Sequence, residues 1–127
     1  NMEKYTRKMS VGGERWLPLI TSRGCPFKCK FCHNTSEVYS MRKMRLHTVD
    51  HIVHNINKLI DDYDCDSIGF DDELTAANDK RLVAICNAIR TGVKRSITYR
   101  ITSRVDLPRP DSYSTVIPSF AISAALT

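Results

Sequence analysis

The sequence predicts an α/β fold built on a parallel sheet. Three observations carry that expectation. Short apolar or β-branched runs stand at residues 16–22, 66–70 and 96–102. The two stretches between them carry apolar residues at helical spacing. The two kinds of segment alternate along the chain, which is the pattern of βαβ units with right-handed crossovers. In such sheets the loops that follow the strands share one rim, and ligands sit there.

Residues 1–15 are polar and without a clear period, and read as a leader. WLPLITS, residues 16–22, reads as a short buried strand despite Pro18. Arg23, Gly24 and Pro26 break it, a cysteine-rich loop follows, and residues 35–47 are polar and basic and read as loop. Residues 48–63 read as a helix. Thr48 is its N-cap and Asp50 stands in the first turn, where the dipole favours an acid. Ile52, Val53, Ile56, Leu59 and Ile60 make one apolar face, while Asp61, Asp62 and Asp64 oppose the dipole at its end. DSIGF, residues 66–70, is the second strand, and Asp71, Asp72, Glu73, Leu74 and Thr75 form a loop.

Asn78 caps a second helix with Leu82, Val83, Ile85, Cys86 and Ile89 on its buried face, and Gly92 suits the position just past its end. SITYRIT, residues 96–102, is the third strand. Beyond it Pro108, Pro110 and Pro118 interrupt any helix. Residues 112–127 carry no charge, no helical stripe and no strict alternation, so no element is expected there. There is no internal repeat.

The 127 residues make one domain or part of one, and 42% hydrophobic with 26% charged residues is ordinary for a soluble globular protein. No run approaches the roughly 18 apolar residues that span a bilayer, and the N-terminal region has no apolar core of a signal peptide. The expected compartment is therefore the cytoplasm, where five cysteines point to metal or redox chemistry before disulfides. The net charge of +5 is unevenly spread: residues 1–46 hold ten Lys/Arg against three Asp/Glu, and residues 47–80 hold two against nine. A basic N-terminal third raises the alternative of a nucleic-acid-binding protein, but no nucleic-acid motif accompanies it. The plainer reading is basic side chains flanking an anionic site or facing solvent.

RGCPFKCKFCHN, residues 23–34, carries the chemistry. Cys25, Cys29 and Cys32 follow the spacing C-x3-C-x2-C. Thiolates are soft ligands that select zinc or iron–sulfur clusters. Three rather than four leave one metal position open, and an open position is where a substrate or cofactor binds. Arg23, Lys28 and Lys30 offset the thiolate charge. The alternative is a noncatalytic zinc module completed by His33, although adjacent ligands at Cys32 and His33 strain a tetrahedral site. Cys65 or Cys86 are other fourth-ligand candidates. Cys86 lies on the apolar helix face and reads as a core thiol, and Cys65 has no obvious partner.

SRGCPFKCKFCHN resembles the cluster loop of the radical S-adenosylmethionine (radical SAM) superfamily, with an aromatic residue, Phe31, before the last cysteine. FDDELTA, residues 70–76, stands where that superfamily has its glycine-glycine-glutamate motif, and its form resembles the subgroup that often carries a cobalamin-binding domain. SITYRITSRVDL resembles the third strand of that subgroup. The resemblance covers residues 16–107. It implies a partial (β/α) barrel of the TIM-like type, truncated here after about three strands, with residues 108–127 an atypical tail that is non-native or disordered.

It further implies that Cys25, Cys29 and Cys32 hold a 4Fe–4S cluster, whose open iron binds S-adenosylmethionine. One electron then cleaves the sulfonium to a 5′-deoxyadenosyl radical, for methyl transfer or another radical modification. Phe31 would pack by the adenine, Asp72 and Glu73 would meet the methionine ammonium, and Arg104 would pair with its carboxylate. The implied partners are an electron donor of flavodoxin or ferredoxin type and a substrate the sequence does not name, with cobalamin in full-length relatives. The family core has six βα units and this chain supplies about two and a half, with no room for a cobalamin domain ahead of Asn1. The expectation is a fragment, or a product with an aberrant end. A sheet of three strands leaves an open edge and an exposed half-barrel interior, so weak or no turnover is expected of the chain alone.

Overall fold

The computed structural model describes residues 4, 13–32, 43–104 and 120–125. Strand β1 (Trp16–Leu19) leads into a two-residue strand β2 (Ser22–Arg23), which pairs antiparallel with β3 (Arg45–Leu46). Helix α1 (Val49–Tyr63), strand β4 (Ser67–Phe70), helix α2 (Asp79–Gly92) and strand β5 (Thr98–Arg104) follow, and β6 (Phe120–Ala125) comes last. The main sheet has the order β1-β4-β5-β6, and every pair in it is parallel. The α/β alternation expected from the sequence is thus the architecture of the chain.

Four particulars differ from the expectation. The single strand over 16–22 is two strands, because the chain leaves the sheet after Leu19 to pair with residues 45–46, which were expected as loop. The third strand runs two residues further, to Arg104. Gly92 ends α2 rather than following it, and the cap is Val93 in extended conformation, donating its N–H to Ile89 O. Most consequential, the uncharged tail contains a strand. β6 pairs with β5 from Tyr99↔Phe120 to Arg104↔Ala125, so the sheet has a fourth strand where none was expected. Pro18 lies in β1, at the edge of the sheet, where a missing N–H is tolerated.

The helices form where their caps and faces dictate. Thr48 Oγ1 accepts from His51 N and Asn78 Oδ1 from Arg81 N, satisfying first-turn donors. Ile52, Ile56 and Ile60 of α1 and Leu82, Ile85, Cys86 and Ile89 of α2 are buried in one cluster with Leu17, Ile68, Tyr99 and Ile101 of the sheet. All four residues of β4 are buried, as befits the strand between β1 and β5. Each fully buried isoleucine contributes about 1.5–3 kcal/mol, so this cluster holds the helices on the sheet. The exposed ion pairs of Asp61 with Lys94 and Asp62 with Lys58 add little beside it. They do explain how α1 tolerates its acidic end. Asp64, left-handed at φ 50°, caps it by donating its N–H to Ile60 O, and Arg95 bridges to the Asp64 carboxylate.

Two aspartates bracket β4 and grip the two ends of β1. Asp66, just before β4, accepts from Glu14 N (2.8 Å), Arg15 N (3.0 Å) and Ser67 Oγ (2.9 Å). Asp72, just after it, accepts from Thr21 N (2.6 Å), Ser22 N (2.9 Å) and Thr21 Oγ1 (2.5 Å). Gly69 in β4 lies under the Trp16 indole, and a Cβ there would meet Nε1 at 2.6 Å. Among the described residues no helix is long and apolar enough to cross a membrane.

Candidate functional site

The cysteine loop beyond β2 and the carboxyl ends of β4 and β5 open onto a cavity of about 560 Å³. The cysteine loop supplies one wall, with Cys25, Cys29 and Cys32, and Phe31 lies beside them. Glu73 and Leu74 come from the loop after β4, and Thr102, Ser103 and Arg104 from the end of β5. Six of the seven residues singled out in the sequence for a cofactor therefore share one cavity: the three cysteines, Phe31, Glu73 and Arg104.

Asp72 is the exception. It does not line the cavity and is only 6% exposed, and three donors from Thr21 and Ser22 converge on its carboxylate. The structure makes it a link between strands where a contact to a methionine ammonium was expected.

The loop is shaped by its neighbours. Gly24 adopts φ +93°, a conformation that L side chains rarely adopt, and turns the chain out of β2. Its N–H donates to Glu73 Oε2 at 3.1 Å, tying the start of the loop to the acidic loop after β4. Further on, Cys32 N donates to Cys29 O at 3.0 Å, a tight turn that puts the last two cysteines on one bend. The β2–β3 ribbon closes the two ends of the 24–44 segment against each other.

Charge in the cavity is mixed: Lys28 and Arg104 are cationic and Glu73 is anionic. Arg104 Nη1 lies 3.3 Å from Cys29 Sγ, and its guanidinium carbon sits 4.2 Å from the centre of the Phe27 ring, a cation–π arrangement. Phe31 is 71% exposed at the cavity. Cys65 and Cys86 are buried, and burial pushes both thiols up, Cys86 to about 11. Cys86 is the core thiol its helix face predicted. His33 lies outside the described residues.

The donor set has the chemistry for an iron–sulfur cluster. Three half-exposed thiols line one cavity, and Arg104 reaches the Cys29 thiol from its far side. Among the described residues no three His, Cys, Asp or Glu side chains gather closely enough to hold one metal ion.

One comparison with known proteins extends across most of this framework. Over 106 residues, 83% of the chain, the sequence is 33% identical to a protein of Pyrococcus horikoshii. That protein is named an uncharacterized methyltransferase. The chain spans 21% of its length. No family model matches the chain, and no solved structure matches it.

Sequence reasoning missed two participants. Phe27 follows the first cysteine by two positions, but its partner arrives from the end of β5, 77 residues along, so no local signal marks the pair. Arg81 was not singled out in the sequence, and its Nη2 donates to Thr21 O at 3.1 Å.

Proposed function

We propose that the chain is the cofactor-binding front section of a radical SAM methyltransferase, formed by the first units of a partial (β/α) barrel. The observation that carries the proposal is the meeting of Cys25, Cys29 and Cys32 with Phe31, Glu73 and Arg104 on one cavity at the carboxyl ends of the parallel strands β4 and β5. The similarity to a methyltransferase supports the reaction class. Cys25, Cys29 and Cys32 would hold a 4Fe–4S cluster, which would supply the one-electron chemistry this reading requires.

The chain's own residues bind and orient. Arg104, planar and permanently charged, offers a fork to the methionine carboxylate. Glu73 accepts the Gly24 N–H through one oxygen, and a carboxylate has further acceptor positions for the ammonium. Phe31 presents a ring face for the adenine. Lys28 and Arg104 balance the negative charge of the thiolates. The remainder of the longer protein recognises the methyl acceptor and houses any cobalamin, and an electron donor of flavodoxin or ferredoxin type approaches the cavity mouth.

Anaerobic incubation of the reduced chain with ferrous iron and sulfide tests this reading. The expected product is a brown species with broad visible absorption that is lost when Cys25, Cys29 or Cys32 is changed to Ser. A colourless chain that takes up stoichiometric zinc instead would replace the reading with a zinc module.

A further inference from the structure

We propose that Asp72 is a positioning residue that presets the cysteine loop, acting through Thr21 and Arg81. Thr21 is 1% exposed and every polar group of it is engaged. Its N–H and Oγ1 donate to the two oxygens of Asp72, at 2.6 and 2.5 Å. Its carbonyl accepts from Arg81 Nη2 at 3.1 Å and from His47 N at 3.0 Å. Four places in the fold meet at this one residue: the exit of β1, the loop after β4, the first turn of α2, and the chain just past β3.

The consequence for the loop follows from connectivity. The chain enters the cysteine segment through Ser22 and Arg23 and leaves it through Arg45, Leu46 and His47. Asp72 holds the entering strand through Thr21 and Ser22, and the Thr21 carbonyl holds the leaving strand through His47. Glu73, the next residue, holds Gly24. Consecutive carboxylates therefore grip successive parts of the same approach, and the loop cannot shift relative to β4 without breaking charge-assisted hydrogen bonds at a nearly buried site. An acidic loop that reads in sequence as ligand-binding is here divided: Glu73 faces the cavity, and Asp72 fixes where the cavity wall stands.

Asp66 supplies a matched control. It also accepts two consecutive backbone N–H groups and one hydroxyl, at the opposite end of β4 from the cysteines. The test is amide hydrogen exchange, read by mass spectrometry, on the whole chain as wild type, Asp72→Asn, Asp66→Asn and Thr21→Val. In Asp72→Asn, peptides over residues 22–32 and 43–47 should exchange about tenfold faster or more, as loss of hydrogen bonds to a charged group implies. Peptides within α2 should keep wild-type protection. In Asp66→Asn the faster exchange should stay near residues 13–16. Unchanged exchange over 22–32 in Asp72→Asn, or an equal rise there in Asp66→Asn, overturns the proposal. If Asp72→Asn does not fold, Thr21→Val, which keeps the shape and removes the hydroxyl, decides by the same criteria.

A second readout rests on the cluster reading above. Iron retained after reconstitution should fall about 10- to 100-fold in affinity in Asp72→Asn, the usual loss when a residue supporting metal ligands is changed, and stay at the wild-type value in Asp66→Asn. Equal iron retention in Asp72→Asn and wild type contradicts the proposal. Should the wild-type chain take up no iron, the cluster reading falls and the exchange data alone decide the clamp.

Discussion

The guanidinium of Arg104 stands between two residues of the cysteine loop, with Nη1 3.3 Å from Cys29 Sγ and its carbon 4.2 Å from the centre of the Phe27 ring. The last residue of β5 is thus held beside the Cys29 thiol by an aromatic platform that comes from the loop itself. Arg104→Ala should weaken binding of S-adenosylmethionine to the iron-loaded chain by about tenfold or more, the loss expected for a hydrogen bond between charged groups. Arg104→Lys should fall between, since it keeps the charge and loses the planar stacking. Equilibrium dialysis with labelled ligand measures both, and wild-type affinity in Arg104→Ala would remove Arg104 from the site.

Gly69 reports on the packing of β1 against β4. A methyl at this position would meet Trp16 Nε1 at 2.6 Å, in a strand buried along its whole length. Gly69→Ala should destabilise the chain by about 1–3 kcal/mol, the range for overpacking a tight interior. A second change, Trp16→Leu, should recover part of the loss. Urea unfolding checks this through the midpoint, and a midpoint unmoved by Gly69→Ala would contradict the packing described.

The five cysteines divide into two classes. Cys25, Cys29 and Cys32 are half-exposed, while Cys65 and Cys86 are buried and their thiols pushed up by burial. The thiolate is the nucleophile. Under native, metal-free conditions near neutral pH, iodoacetamide should therefore modify the three loop cysteines and leave the two buried ones until denaturant is added. Peptide mass spectrometry separates the sites, and early modification of Cys86 would contradict its place in the core.

Asp66 makes stability depend on pH in a defined direction. Burial pushes its carboxyl up, but hydrogen bonds from Glu14 N, Arg15 N and the Ser67 hydroxyl outweigh burial and hold it below the ordinary carboxylate value. A group depressed in the folded state adds stability above its unfolded value and loses it as pH falls through the folded one. Asp66→Asn should be less stable than wild type at neutral pH, and the gap should close as pH falls below about 4, the ordinary aspartate value. A gap that stays constant down to the acid transition would contradict this.

Much of this was legible in the sequence because it is local. The caps at Thr48 and Asn78, the apolar faces of both helices and the strand at 67–70 follow from spacing and residue type alone. The cysteine spacing likewise named three residues that share one cavity. What stayed hidden is long-range. The β2–β3 ribbon joins residues more than twenty positions apart through two-residue strands, too short to leave a pattern. β6, FAISAA, carries small residues without alternation and is a strand because β5 offers an unpaired edge. Asp72 and Glu73 look equivalent in the sequence, and only the position of Thr21 and Gly24 separates their roles.

We propose that Cys25, Cys29 and Cys32 hold a cluster with one iron left open for S-adenosylmethionine. This proposal is tested most directly by electron paramagnetic resonance of the reconstituted, dithionite-reduced chain, with and without that ligand. The expected signal is that of a reduced 4Fe–4S cluster whose g-values shift when S-adenosylmethionine is added. A signal that the ligand leaves unchanged, or no cluster signal at all from a fully reconstituted chain, would contradict it.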